Sequence, residues 1–261
     1  MPCLPVRSPV PWSEPVSPID AGILVGGGFL AGVINTLAGG GSMLTVPLLV
    51  LMGLPGTLAN GTNRVGILIQ SGVASWGFWA QGVDELRGSV PVIVPVTAGA
   101  VLGAAYASQL PDAAFERAFG VVMLLLLVPT VRGVTGAANP SRSPAPAWLR
   151  ALLFFGIGVY GGVFQAGVGL FLVAALSFGG VDLVRANAIK VLVNLCFTLL
   201  AVPIFVLAGQ VAWPEALTLG VGFAAGGALG SRLAVRGGER LIRPVLGLAI
   251  AALAGRMVGL Y

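Results

Sequence analysis

The chain has 261 residues, of which 57% are hydrophobic and 9% charged, with a formal net charge of +5 and a mean hydropathy of +0.98. Soluble domains carry about 25% charged residues, so these figures exclude a water-soluble globule. Apolar runs of about 17 to 25 residues, the length that spans a ~30 Å hydrocarbon core, recur along the chain. The 14 basic residues stand singly or in small groups between those runs, which is the pattern of topological charge and not of a nucleic-acid surface.

In chain order, residues 1–19 form a tail with six prolines and no apolar core of the signal-peptide kind. Residues 20–132 read as a first transmembrane repeat, with apolar segments at about 20–38, 43–54, 57–81, 88–108 and 115–131. Residues 133–147 are a linker loop rich in Pro, Gly and Ser. Residues 148–261 form a second transmembrane repeat, with segments at about 148–166, 170–179, 183–207, 213–233 and 240–260. The expected fold class is all-α: a polytopic transmembrane helical bundle of two repeats, each a glycine-broken short helix pair followed by three spans.

The repeat rests on one gap-free offset of 127 positions, which places Gly40 on Gly167, Gly53 on Gly180, Asn60 on Asn187, Gly82 on Gly209, Gly103 on Gly230 and Gly120 on Gly247. The Gly99/Gly103 and Gly226/Gly230 pairs have the G-x-x-x-G spacing that lets helices approach closely. Loop arginines set the parity. An odd number of crossings per repeat collects Arg87, Arg132, Arg142, Arg150, Arg185, Arg232, Arg236, Arg240 and Arg243 on one face and leaves Arg7, Arg117 and Arg256 opposite, nine against three. An even number divides them six against six. The positive-inside bias favours the first, hence inverted repeats with both chain ends on the periplasmic face. A short helix that completes a crossing and one that returns as a hairpin keep the same parity, so the span count stays open.

The first break is Gly39, Gly40, Gly41 and Ser42, and the second is Gly167, Val168 and Gly169, preceded by Gln165. Non-helical backbone at membrane depth survives where it is buried in protein or lines a wet cavity. A helix that begins there turns unpaired N–H groups and the positive end of its dipole toward whatever fills the space. Beyond each break a polar stripe opens the next helix. Asn187, Lys190, Asn194 and Thr198 recur on one face in the second repeat, and the first, whose helix opens with Asn60, Gly61, Thr62, Asn63 and Arg64, answers with Asn60, Arg64 and Ser71, Asn63 standing at the position of Lys190. Arg64 and Lys190 form a near-symmetric cationic pair with no acidic neighbour in sequence, which suits an anion if both point inward. If both instead snorkel to the headgroups, they are topological anchors. The candidate substrate-binding set is therefore Gly39, Gly40, Gly41, Ser42, Asn60, Thr62, Asn63, Arg64, Gln165, Gly167, Gly169, Asn187, Lys190 and Asn194.

The sequence has no histidine, and every Asp and Glu falls in a tail, a loop or a segment edge. A proton relay through intramembrane carboxylates has no candidates. Cys3 and Cys196 make neither a disulfide framework nor a metal-ligand spacing. The Gly-Gly-Gly-Ser break lacks the Lys and spacing of a phosphate-binding loop, and no nucleophile and base pair emerges. No enzyme activity, metal or cofactor is expected. The expected partners are a small anionic substrate and the lipid bilayer, with no nucleic acid; a homo-oligomer is left open.

The stretches GFLAGVINTLAGGGSMLTVPLLVLMGLP and LANGTNR, with FGIGVYGGVFQAGVGLFLVAALSFGGVDLVRANAIK and GQVAWPEALTLGVGFAAGGALGSRLA in the second half, resemble the sulfite exporter TauE/SafE family of bacterial membrane permeases. The resemblance covers nearly everything after the tail. It implies a multi-pass protein of the bacterial inner membrane that moves sulfite, sulfonates or other small organic or sulfur-containing anions, commonly outward. By the same resemblance the glycine breaks and the two Ala-Asn starts carry the site, and Val168 departs from the glycine-rich pattern. Two other readings remain: import of the same anions, and a membrane scaffold that moves nothing.

Overall fold

The computed structural model describes residues 16–132 and 146–236. Among the described residues the chain is wholly helical: α1 (Pro18–Ala38), α2 (Ser42–Leu51), α3 (Gly56–Trp79), α4 (Leu86–Ala107), α5 (Asp112–Arg132), α6 (Ala147–Phe164), α7 (Val168–Phe178), α8 (Leu183–Leu207) and α9 (Trp213–Val235). Most of the expected tail (1–15) and linker (133–145), and the last expected span (240–260), lie outside the described residues.

Among the described residues five helices are long and apolar enough to cross a membrane: α1, α4 from Gly88, α6, α8 and α9. Helix α3 matches them in length, but Asn60, Thr62, Asn63, Arg64 and Gln70 make it less apolar. The outward faces carry exposed Leu102, Leu125, Leu153, Leu207 and Val221. Such surfaces aggregate in water and are at home against lipid. Exposed Trp76 and Trp79 end α3, and Trp148 and Trp213 open α6 and α9, the positions of interfacial aromatic belts.

Each break turns a short helix back along the helix before it. Helix α1 stops at Gly39, whose φ of 81° closes a left-handed cap with its N–H on Asn35 O and Ile34 O; only glycine takes this conformation without steric cost. Helix α2 then returns along α1. Leu48 reaches Gly27, and Gly41 lies against Ala31 and Asn35. Helix α7 returns along α6 in the same way, with Tyr160 Oη donating to Ala166 O at 2.6 Å and its ring meeting Phe171 edge-on.

The long helices pack through small residues. Helix α1 lies along α9, where a methyl group placed on Gly226 would stand 2.2 Å from Phe29 O. Helix α4 lies along α6, where one on Gly103 would stand 2.1 Å from Val159 O. The glycine pairs at four-residue spacing thus sit at the closest helix contacts, as their spacing favours. Both pairs run in the same direction, since Val25 and Phe29 meet Gly222 and Gly226, and Val96 and Ala100 meet Gly158 and Gly162. Helices α3 and α8 cross between them in opposite directions, the last third of α3 (Gly72, Ser75, Trp76) lying by the first third of α8 (Ala188, Leu192).

Candidate functional site

The two breaks meet. A methyl group on Gly39 would lie 2.4 Å from Gly169 Cα, and one on Gly169 would lie 2.5 Å from Gly39 Cα and 2.9 Å from Lys190 Cδ. All fourteen candidate residues are buried. Arg64 and Lys190, both 0% exposed, do not snorkel to a surface.

Each cation instead serves the broken helix of the other half. From α3, Arg64 donates through Nη2 to Gly161 O at 3.2 Å and Val163 O at 3.3 Å, and also to Gly162 O. Its Nη1 donates to Gln165 Oε1 at 2.9 Å, and its guanidinium carbon stands 4.7 Å over the Phe205 ring. From α8, Lys190 Nζ donates to Thr36 O at 2.7 Å, Asn35 O at 3.0 Å and Asn187 Oδ1 at 2.7 Å. The last carbonyls of a helix lack intrahelical donors and carry the negative end of its dipole. Arg64 therefore closes the carbonyl end of α6, and Lys190 that of α1. Asn60 Nδ2 adds a bond to Val163 O at 3.1 Å.

With both carbonyl ends held, α2 and α7 begin beside them, neither with a side-chain cap on its first N–H groups. Among the described residues no Asp or Glu is buried, so the fixed charges here have one sign. Several buried polar atoms near the breaks have no partner: Ser42 Oγ, Asn63 Nδ2, Arg64 Nε and Gln165 Nε2. An unmet donor in a protein interior is costly. Asn63 Oδ1 is occupied, accepting from Thr45 Oγ1 of α2 at 2.5 Å.

Two candidates do other work or stand further off. Thr62 Oγ1 accepts from Ala212 N at 3.0 Å and so anchors the turn between α8 and α9. Asn194 lies one turn past Lys190, with Oδ1 unpartnered. The sequence reading also missed a thread behind the first break: Asn35 Nδ2 donates to Gln70 Oε1 at 2.6 Å, and Gln70 Nε2 to Thr36 Oγ1 at 2.7 Å. Its signal was the polar Asn-Thr pair inside an apolar run and Gln70 seven residues past Asn63. Among the described residues no group of three His, Cys, Asp or Glu side chains could hold a metal ion.

The site's outer supports differ between the halves. Asp112 Oδ1 of α5 accepts from Thr57 N at 3.0 Å and Thr57 Oγ1 at 2.6 Å, and Glu116 Oε1 accepts from Gly56 N at 3.0 Å. Asp182 caps α8 itself, accepting from Val184 N and Arg185 N, both at 3.1 Å. A cavity of about 270 Å³ lies between the end of α3 and the start of α8, lined by Gly72, Ser75, Trp79, Val83, Ala188 and Leu192. Beside it the Arg185 guanidinium pairs with Glu85.

The chain is 30% identical over 232 residues to a probable membrane transporter protein, ORF9, of Sinorhizobium sp, covering 88% of this chain and 89% of that one. It is 27% identical over 239 residues to a probable membrane transporter protein of Haemophilus influenzae, covering 88% and 91%. It is also 27% identical over 251 residues to the probable membrane transporter protein YfcA of Escherichia coli K12, covering 93% and 91%. No solved structure matches it. The sulfite exporter TauE/SafE family model matches residues 24–257, and the chain, a multi-pass helical membrane protein of the transporter type, belongs to that family.

Proposed function

We propose that this transporter moves a small oxyanion of the sulfite or sulfonate type out across the bacterial inner membrane. The observation that carries the reading is the meeting of the two breaks, with the amino ends of α2 and α7 beside Arg64 and Lys190 and, among the described residues, no buried Asp or Glu residue there. Half-helix N-termini at paired breaks are the device by which transporters hold anionic groups. The two cations cancel the carbonyl ends, so the field left at the breaks is positive.

The direction of the helices supports inverted repeats. Helix α4 runs with α6, and α9 with α1, while α3 opposes α8, so helices at equivalent positions of the two halves run oppositely. The end that holds Arg150, Arg185, Arg232 and Arg236 is then the cytoplasmic one. Without an intramembrane acid, the membrane potential drives export, at about 2.3 kcal/mol per charge per 100 mV.

Purified protein in liposomes loaded with sulfite or methanesulfonate is expected to release them when an outside-positive potential is imposed, and to slow when the potential is collapsed. Absence of potential-dependent flux for any small anion ends this reading. Uptake against the imposed potential reverses its direction.

A further inference from the structure

Gln165 brings together features that packing alone does not require. Its backbone sits at φ 61°, and it is the one non-glycine residue with positive φ among the described residues. Such a conformation is strained and persists where its surroundings enforce it. Tyr160 Oη pins the peptide that follows Ala166 through Ala166 O, and Gln165 is 2% exposed. Its Oε1 faces Arg64 Nη1 at 2.9 Å. A guanidinium only donates, so this bond admits the amide oxygen and not the amide nitrogen. The Nε2 amino group is thereby turned away from Arg64, and it has no partner. The position 127 residues earlier is Ala38, so this amide occurs in one half alone.

We infer that Gln165 Nε2 is the substrate-selecting donor of the site, giving an N–H bond to an accepting oxygen of the anion seated at the breaks, with Arg64 as the positioning residue that fixes the amide. This rests on the anion-permease reading above. Arg64 thereby acts twice, closing the carbonyl end of α6 and orienting the group beside it.

Q165E separates this role from a structural one, because a carboxylate still accepts from Arg64 but presents an oxygen where the N–H stood. In liposomes, sulfite and methanesulfonate efflux by Q165E is expected to fall at least ~10-fold with a raised KM, as loss of a buried donor to a charged group entails. The melting temperature in detergent is expected to stay equal or rise. Q165M, which keeps the length and offers no donor, is expected to show the same loss of flux and to decide the matter if Q165E does not fold. Flux within twofold of the unaltered protein in either folded variant overturns the inference. If the unaltered protein moves none of these anions, the permease reading falls and this inference with it.

Discussion

The two ends of the crossing between α3 and α8 are built to different tolerances. Where α3 begins, Gly61 lies under the Gln210 carbonyl so closely that a methyl group there would stand 2.0 Å from the oxygen. Ala212 is 2% exposed and donates to Thr62, and α5 ties down the first turn through Asp112 and Glu116. Where α8 begins, the equivalent of Gly61 is Ala188, and the equivalent of Gln210 is Val83. Between these two residues lies part of the 270 Å³ cavity. The α8 start is capped by its own Asp182, which stands where the first half has Pro55. One end is closely packed and stitched to α5, while the other caps itself, pairs Arg185 with Glu85 and is loosely filled. Local opening is drawn from regions with fewer buried contacts, so the loose end is the one better placed to part.

The largest effect is expected at the crosswise caps, which test how far the halves resemble each other despite these ends. R64A and K190A each strip a buried carbonyl end of its charged donor, and each is expected to lower stability by about 3 kcal/mol or more. Thermal melts in detergent measure this. Equal losses mark the caps as equivalent, whereas a small loss in K190A alone would place the structural burden on Arg64.

A smaller difference is expected between G61A and A188G. At the tight end the added methyl group must push Gln210 away, at about 1 to 3 kcal/mol. Hydrogen exchange of residues 208–212 is expected to speed up. At the loose end, removal of a methyl group beside an existing cavity is expected to cost about 1 kcal/mol, chiefly as helix propensity. Similar exchange in both variants would remove the contrast between the ends.

The smallest effect separates the two ways of capping. D112A and D182A each remove acceptors from a helix start, at about 1 kcal/mol each. D112A is expected also to loosen α5 from α3, since Asp112 joins the two helices. Disulfide trapping between cysteines introduced on α3 and α5 is expected to fall in D112A and to stay unchanged in D182A.

Much of this architecture was legible in the chain. Gly39–Gly41 and Gly167–Gly169 interrupt apolar runs, and the helical recurrence of Asn187, Lys190 and Asn194 marks the buried face of α8. The partners of the cations were not legible. Arg64 binds main-chain oxygens 97 to 99 positions away, and Lys190 binds others 154 and 155 positions away. A carbonyl leaves no trace in the residue type that bears it. The pair therefore read either as charges facing an anion or as anchors snorkelling to the headgroups, when the structure shows them closing two helix ends. Asp112 and Glu116 read as edge acids for the same reason, because the amides they cap lie more than fifty positions earlier.

The contact of Gly39 with Gly169 has one more consequence. With less than a methyl group's room between them, neither position accepts a side chain while the other stays where it is. The two stretches of chain share a single steric allowance, and Gly39, at φ 81°, would be strained by any side chain even with that room granted. The nearest atoms in the way are main-chain atoms of the opposite glycine, so a second substitution does not relieve the first, and the two breaks part only by movement of the backbone itself.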